Sequence, residues 1–288
     1  MTAMPPQQPA KTESSGAKRS PDSSADTGSH SSTPSALRRV LITGATGEIG
    51  GALARRYAAK GTTLILTGRK QRKLDGIAQQ CRELGAEVEC TVLNLCDEET
   101  LLTWLEEVCA RGVPDIAIAN AGMNTDIGPQ GNGERWEDAR RLLQTNVIGT
   151  LGMAHHLALA MKARGSGQLV LLSSLAAWHG LALTPSYSGS KAAVKAYGEG
   201  LRSWLKPFGV GVTVVMPGYV TSPMCEAMPG PKPFEMPADK AAQRILKGVA
   251  RNRARISFPF PLNFGCWWLS VLPAGISQRL LGLFNYTH

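Results

Sequence analysis

The stretch that decides the fold is Arg39-Val-Leu-Ile-Thr-Gly-Ala-Thr-Gly-Glu-Ile-Gly50. Its apolar first half predicts a buried strand, and its glycine-rich second half predicts a tight turn that leads directly into a helix. Glycine suits such a turn because the backbone must bend sharply and approach a bound phosphate closely. The first N–H groups of the helix have no partner within it, so they attract phosphate. The stretch therefore predicts a strand, a phosphate-binding loop and a helix.

Strand-like and helix-like segments continue to alternate after this stretch, with short connections between them. Strands are predicted at residues 63–67, 87–93, 115–119, 168–173, 210–216 and 254–258, and helices at 71–84, 97–111, 134–163, 186–208 and 238–250. This alternation is typical of an α/β fold in which helices cover both faces of a doubly wound parallel sheet, the Rossmann fold. No linker-like stretch interrupts residues 37–258, so we expect a single domain there.

The two ends of the chain differ from this domain in composition. Residues 1–36 are rich in Ser, Thr, Pro and Gln and have no apolar central region, which predicts a disordered tail and no secretory signal. Residues 259–288 form an apolar extension that Pro259, Pro261 and Pro273 interrupt, so it is unlike a membrane-spanning helix. Three roles are open for this extension: a lid on the domain, a subunit interface, or contact with a membrane surface.

The charge and the cysteines limit the partners. The formal net charge is +9, and residues 240–288 contain seven basic residues and no acid, which suits an anionic membrane surface beside the apolar extension. No segment resembles a nucleic-acid-binding module, so no nucleic-acid partner is expected. The six cysteines form no CxxC pair and no cysteine–histidine ligand spacing. This pattern predicts reduced thiols, no metal site, and a cytoplasmic protein that is membrane-associated in one alternative.

Four polar side chains are candidates for a reacting centre. Tyr187 and Lys191 are four positions apart in a predicted helix and therefore share one face. Ser174 follows the strand before that helix, where the fold can bring it beside Tyr187, and Ser173 is its adjacent rival. Asn146 lies in the helix before that strand. Each position alone is weak support for a site, because such spacings also arise by chance.

The combined pattern resembles the short-chain dehydrogenase/reductase family over residues 38 to about 223. The family's motifs match at the TGxxxGxG spacing of the glycine loop, at Asn120-Ala-Gly122, and at the set Asn146, Ser174, Tyr187 and Lys191. Glu48 stands where the family has its middle glycine, and we expect its carboxylate to point to solvent at the helix start. The resemblance implies an enzyme that transfers a hydride between a nicotinamide cofactor and a carbonyl or alcohol group.

The turn after the second predicted strand bears on which nicotinamide cofactor is used. An acidic residue at the end of that strand would favour NAD, but here Gly68 is followed by Arg69, whose guanidinium can pair with a 2′-phosphate. We therefore expect NADP(H). The resemblance assigns cofactor contacts to Gly44, Thr46, Gly47, Ile49, Arg69, Asn94, Leu95, Asn120, Ala121, Tyr187, Lys191, Pro217, Val220 and Thr221.

The same resemblance implies a role for each catalytic side chain. Tyr187 would donate the proton to the carbonyl oxygen in reduction and accept it in oxidation, with its pKa lowered by the Lys191 ammonium and by the positive ring of the cofactor. Ser174 would polarise the carbonyl group, and Asn146 would hold a water that relays protons from Lys191. The apolar side chains of the loop 222–237 and of the extension predict an apolar or lipid-like ketone or aldehyde as substrate.

Two other functions are open for the same residues. One is a membrane-surface reductase of lipid or polysaccharide biosynthesis, and the other is a nucleotide-binding scaffold without catalysis. A homo-dimer or homo-tetramer is expected in each case.

Overall fold

The computed structural model describes residues 38–125, 133–228 and 230–283. The predicted disordered tail, residues 1–36, lies outside the described residues, as does the end of the apolar extension.

Seven parallel strands form one sheet, as the alternating pattern predicts. They are β1 Arg38–Ile42, β2 Thr62–Gly68, β3 Glu87–Val92, β4 Ile116–Ala119, β5 Gly167–Leu172, β6 Val210–Pro217 and β7 Arg255–Phe258. Their order across the sheet is β3-β2-β1-β4-β5-β6-β7. The chain winds outward in one direction from β1 and in the other from β4, so the order reverses between these two strands. A ligand cleft is expected outside the carboxyl ends of the strands at this point. The predicted doubly wound parallel sheet is confirmed.

Ten α-helices accompany the sheet in the described part of the chain. They are α1 Glu48–Tyr57, α2 Gln71–Glu83, α3 Glu98–Ala110, α4 Trp136–Leu143, α5 Thr150–Arg164, α6 Pro185–Leu205, α7 Pro223–Glu226, α8 Ala238–Ala250, α9 Leu262–Val271 and α10 Ala274–Leu283. Helices α1, α2 and α8 pack on one face of the sheet, and α3, α5 and α6 pack on the other.

The alternation of side chains along each strand produces the two cores. Val40 and Ile42 of β1 face the core under α1, α2 and α8, whereas Leu41 between them faces the core under α3, α5 and α6. Every residue of β2 is buried, because helices cover both faces of the sheet there. This burial explains the apolar run Leu64-Ile-Leu66 at the centre of β2.

The helix predicted over residues 134–163 is interrupted in the structure. Helix α4 passes into a π-helical segment, Gln144–Gly149, before α5 begins. The wider turn brings Asn146 against the backbone of Met123 and brings Gly149 so close to Leu95 that a Cβ atom at Gly149 would lie 2.5 Å from the Leu95 carbonyl oxygen. The apolar spacing continues on both sides of the segment, so the sequence pattern gives no sign of the change.

Two regions that were predicted as a loop and an apolar extension contain helices. In the loop 222–237, the Ser222 hydroxyl caps the short helix α7 by accepting a hydrogen bond from the Cys225 amide. After β7 the extension forms α9 and α10. None of the described helices has the length and apolar character needed to cross a lipid bilayer.

Candidate active site

One cleft follows the carboxyl ends of the strands and has a volume of about 1080 Å³. It runs from the turn after β2, past the glycine loop before α1, to the amino-terminal part of α6 and then beneath α9 and α10. Residues from both halves of the sheet therefore line one continuous space.

Glycine is required in the loop 44–50 because other backbone segments approach it closely. Gly44 has a φ of 65°, and a Cβ atom there would lie 2.7 Å from the Ala121 Cα atom. A Cβ atom at Gly50 would collide with the carbonyl oxygen of Gly44. Gly47 is the residue before α1, so the first N–H groups of the helix open into the cleft.

Asn120 and Thr43 hold this loop against the end of β4. The Asn120 side-chain amide donates hydrogen bonds to the carbonyl oxygens of Thr43 at 3.0 Å and Gly44 at 3.1 Å. The Thr43 hydroxyl accepts from the backbone amides of Asn120 and Ala121, both at 3.2 Å. Asn120 and Ala121 also line the cleft, as expected from the sequence, but the Asn120 amide is already engaged in shaping the loop.

The end of the cleft beside β2 is basic. Arg69, Lys70 and Lys73 line it, and neither Arg69 nor Lys73 forms an ion pair with an acid in the described ranges. Lys73 was missed in the sequence, although it follows Lys70 by one helical turn. Glu48 is exposed at the first position of α1 and is the only acid among the described residues that line the cleft. The basic end therefore keeps its positive charge available for an anionic ligand.

The remaining residues predicted to contact cofactor divide into two groups. The cleft is lined by Gly44, Thr46, Gly47, Ile49, Asn94, Leu95, Pro217 and Val220. Thr221 differs from the expectation, because its hydroxyl and its amide both donate to the Met236 carbonyl oxygen, at 3.4 Å and 3.0 Å. The bridge between Val220 and Met236 turns Thr221 outward, and the adjacent Ser222 lines the cleft instead.

Lys191 is buried beside Tyr187. Its ammonium donates a hydrogen bond to the Leu172 carbonyl oxygen at 3.0 Å, and its Nζ atom lies 5.7 Å from the centre of the Tyr187 ring. Burial lowers the pKa of Lys191 from 10.5 to about 8, because the ammonium loses most of its hydration. The two side chains line the same part of the cleft, one helical turn apart on α6.

The structure distinguishes Ser174 from its rival Ser173. The Ser173 hydroxyl is buried and donates to the Lys191 carbonyl oxygen at 2.7 Å, so it fastens α6 to the end of β5. The Ser174 hydroxyl lines the cleft, accepts from the Ala176 amide at 3.1 Å, donates over a long 3.5 Å to the Pro217 carbonyl oxygen, and also interacts with the Tyr187 hydroxyl. The Ser174 proton can therefore be redirected to a substrate oxygen.

In the chain without a cofactor, burial raises the pKa of Tyr187 above its ordinary value of 10.0. The lowering that the sequence argument expects from Lys191 together with the positive nicotinamide ring stays a prediction. The Ser174 hydrogen bond acts to lower the pKa but does not overcome the cost of placing a phenolate in a poorly hydrated position. The phenol therefore favours its protonated form.

Asn146 lies behind the cleft wall and is almost fully buried. Its side-chain oxygen accepts from the Met123 amide at 2.8 Å, and its side-chain nitrogen donates to the Met123 carbonyl oxygen at 2.8 Å and to the Ser190 hydroxyl at 3.1 Å. A Cβ atom added at Gly122 would lie 3.2 Å from the Lys191 ammonium and 3.3 Å from the Asn146 oxygen. Asn146 thus positions the chain segment next to Lys191, and its expected role in holding a water stays a prediction.

The other end of the cleft is apolar and includes residues of the extension, which the sequence left without an assigned role. The loop 222–237 contributes Met224, Met228 and Phe234, three of the four apolar side chains expected there, and Met236 is buried below them. From α9, α10 and the preceding turn come Pro261, Leu262, Phe264, Cys266, Trp268, Leu269, Leu280 and Leu281. No spacing motif in the sequence identifies these positions as part of a site.

Comparison with known proteins identifies the family to which a chain with this loop, serine, tyrosine and lysine belongs. Residues 38–230 match the family model described as short chain dehydrogenase. The chain belongs to this family. It is 34% identical over 239 residues to an uncharacterized oxidoreductase of Myxococcus xanthus, a match that covers 82% of this chain and 93% of the relative. It is 30% identical over 254 residues to 11-beta-hydroxysteroid dehydrogenase 1A of Arabidopsis thaliana, covering 81% and 72%.

A solved structure supports the same assignment. A short-chain dehydrogenase from Sphingobium yanoikuyae in complex with NADPH superimposes with a TM-score of 0.72 at 27% identity, covering 85% of this chain and 96% of that one. The chain is therefore an oxidoreductase of the short-chain dehydrogenase family, which uses a nicotinamide cofactor. Within the described ranges, no three potential metal-ligating side chains come together.

The residues present fit a nicotinamide dinucleotide. The glycine loop leaves space that a Cβ atom would fill, the helix α1 begins at that loop, and the basic end of the cleft is suited to phosphate. Tyr187, Lys191 and Ser174 line the same cleft farther along, next to its apolar end, which we call the apolar chamber. The departure at Glu48 leaves the fit intact, because this carboxylate is exposed at the helix start.

Proposed function

We propose that this protein is an NADP(H)-dependent reductase of an apolar ketone or aldehyde, which oxidises the corresponding alcohol in the reverse direction. The observation that carries this proposal is that Ser174, Tyr187 and Lys191 line one cleft with a phosphate-binding loop on one side and an apolar chamber on the other. We further propose residues 37–258 as the catalytic domain and the extension after them as a lid on the substrate chamber.

The basic end of the cleft supports the preference for NADP(H) over NAD(H). Arg69 follows the buried Gly68 at the end of β2, and Lys73 stands one turn into α2. A 2′-phosphate carries the charge that these side chains attract, and a guanidinium can bind it with two parallel hydrogen bonds. The preference for NADP(H) agrees with the similar structure from Sphingobium yanoikuyae, which was solved in complex with NADPH.

Three side chains would carry the chemistry of this chain. A reduced nicotinamide, when bound, supplies hydride to the carbonyl carbon. Tyr187 donates its proton to the carbonyl oxygen, for which its raised pKa keeps the phenol protonated at neutral pH. Ser174 donates a hydrogen bond to the same oxygen, and the Lys191 ammonium stabilises the negative charge left on Tyr187.

The lining of the chamber supports an apolar substrate. Its lining is mostly Leu, Met, Pro, Phe and Trp side chains, with the polar side chains of His179, Tyr219 and Ser222 among them, and the one acid in the described lining, Glu48, stands at the cofactor end. A charged substrate would lose hydration there without gaining a partner. The similarity to a protein named as a hydroxysteroid dehydrogenase agrees with a bulky apolar carbonyl compound.

A panel of ketones and aldehydes of increasing apolar size, with oxidation of NADPH as the readout, tests this proposal. We expect turnover that increases with apolar size and is much weaker with NADH. Tight binding of NADPH together with no turnover of any member would replace the reductase by a nucleotide-binding scaffold. Faster turnover with NADH would contradict the role given to Arg69.

A further inference from the structure

The outer side of the C-terminal helices carries large apolar side chains that no described residue covers. We call this the aromatic surface, and its members are Phe260, Phe264, Trp267, Trp268, Val271 and Ile276, all between 39% and 76% exposed. None of the ten residues of α9 is buried, and none carries a charge. An apolar surface of this kind is unusual where a protein faces only water, and it commonly marks a contact site.

The aromatic surface is continuous with the substrate chamber. Phe264 and Trp268 belong to the exposed surface and also line the cleft, so they form the rim of its opening. The Trp267 ring contacts both at tilted angles, with ring centres 5.7 Å from Phe264 and 6.3 Å from Trp268. A molecule that enters the chamber from this side therefore passes directly from the aromatic surface to Leu262 and Leu269 inside.

The C-terminal segment that carries the aromatic surface has basic residues and no acid after Asp239. Arg279 lies on α10, and the Arg244 guanidinium lies 5.9 Å from the ring of Phe258, two residues before Phe260. Asp239, the acid at that end of α8, is paired with Arg55. These charges would favour an anionic partner.

Only part of the basic stretch recognised in the sequence lies near the aromatic surface. Strand β7 is parallel to β6, with Phe258 opposite Pro217 at the carboxyl edge of the sheet. Arg251 and Arg253 precede β7 and therefore lie at the opposite edge. These two arginines are therefore on the wrong side of the sheet to contact a partner that binds the aromatic surface.

We propose that the aromatic surface docks on an anionic phospholipid membrane and that the apolar substrate reaches the chamber from the lipid, past Phe264 and Trp268. Tryptophan and phenylalanine side chains are favoured at the boundary between lipid and water. A second copy of the chain on this surface would cover the rim of the opening, whereas a lipid surface presents apolar molecules to it. The substrate part rests on the proposed reductase function, while the docking part does not.

The docking is tested by sedimentation of the full-length protein with vesicles of phosphatidylcholine, with and without phosphatidylglycerol. The double variant Trp267→Ser, Val271→Ser changes the aromatic surface at two positions that do not line the cleft. Trp136→Ser, at the most exposed of the described tryptophans, is the matched control. We expect wild type and control to bind anionic vesicles, and the double variant to bind at least about tenfold more weakly.

The docking would be overturned if wild type does not sediment with anionic vesicles, or if the double variant binds them as well as wild type does. Sedimentation equilibrium then identifies the alternative. If wild type binds no vesicles and is a dimer that the double variant converts to a monomer, the surface is an interface between copies of the chain.

The substrate route is tested with the same variants and two ketones. We expect vesicles to increase wild-type turnover of a long-chain ketone dissolved in them, and the double variant to lose this increase while reducing a short water-soluble ketone normally. Equal turnover of the long-chain ketone by both proteins would overturn the route. If no ketone is turned over at all, the reductase proposal fails while the vesicle-binding result still stands on its own.

Discussion

The Nε2 atom of His179 lies 3.0 Å from the hydroxyl of Ser277, although the two residues are 98 positions apart in the sequence. His179 closes the segment that begins at Ser174, and Ser277 is buried on α10. The other ring nitrogen of His179 lies 3.0 Å from the Gly180 carbonyl oxygen, and the Ser277 hydroxyl donates to the Ala274 carbonyl oxygen at 3.0 Å. The His179–Ser277 contact ties α10 to the loop that holds Ser174.

Replacing Ser277 by Ala should loosen α10 over the chamber. We expect the free energy of unfolding to fall by about 1 kcal/mol, because a buried hydrogen bond is lost. The KM for long apolar ketones should rise, while turnover of short ketones stays close to that of wild type. Thermal unfolding and a chain-length series check this. Ser270→Ala, at an exposed hydroxyl on α9, is the matched control. Identical behaviour of the two variants would refute the role of the contact.

Replacing Lys191 by Met should stabilise the protein and inactivate it. The pKa of Lys191 is about 8 in the folded chain and 10.5 without burial, so the unfolded state binds the proton more tightly. The cost of burial is therefore fully present below about pH 8 and disappears as the pH rises toward about 10.5. We expect the variant to gain up to about 3 kcal/mol at neutral pH.

This gain should shrink as the pH increases, and thermal unfolding of both proteins across the alkaline range measures it. Turnover of the Lys191→Met variant should fall by about 100-fold or more. A variant less stable than wild type at neutral pH would show that the hydrogen bond to Leu172 outweighs the lost hydration.

The rate of carbonyl reduction should fall as the pH rises through about 8, because the Lys191 ammonium that stabilises the charge left on Tyr187 loses its proton there. Burial raises the pKa of Tyr187 above 10.0, so the phenol remains protonated and able to donate from neutral to mildly alkaline pH. Initial rates at saturating NADPH, measured against pH in buffers of constant ionic strength, provide the check. A reduction rate that stays level well above pH 8 would contradict the role given to the Lys191 ammonium.

Replacing Arg69 by Ala should weaken NADPH binding by about tenfold or more and leave NADH binding nearly unchanged, because only NADPH carries the 2′-phosphate. Quenching of tryptophan fluorescence during titration with each nucleotide measures both affinities. Arg72→Ala is the control, since Arg72 is an exposed neighbour outside the cleft lining. If the affinities for NADPH and NADH fall equally, Arg69 does not contact the 2′-phosphate.

The fold could be predicted because its signals are local. The burial of β2 on both faces favours apolar residues at its centre, and the approach of Ala121 to Gly44 requires glycine, so both features are visible in the sequence. The π-helical segment at Asn146 was not visible, because the hydrogen bond that Asn146 accepts from the Met123 amide involves a different part of the chain. Sequence periodicity reports the neighbours of a residue along a helix but not its distant contacts.

The sequence predicted those site residues that belong to a motif. It missed those that reach the cleft only through the three-dimensional fold. The tyrosine and lysine share a helix face by their spacing alone, whereas the choice of Ser174 over Ser173 depends on the Lys191 carbonyl oxygen that binds the Ser173 hydroxyl. The burial that raises the pKa of Tyr187 in the chain without a cofactor was not visible, because the sequence shows the nearby charge but not the loss of hydration. The role of α9 at the chamber depends on tertiary packing, which an apolar composition does not specify.

The most direct measurement is the rate of NADPH oxidation with a reducible ketone for wild type, Tyr187→Phe and Tyr197→Phe. Tyr197 lies on the same helix α6 and outside the cleft lining, so its variant controls for the loss of a tyrosine hydroxyl from that helix. We predict that Tyr187→Phe binds NADPH as wild type does and loses turnover by about 100-fold or more, while Tyr197→Phe stays active. Unchanged turnover in Tyr187→Phe would contradict the assignment of Tyr187 as the proton donor.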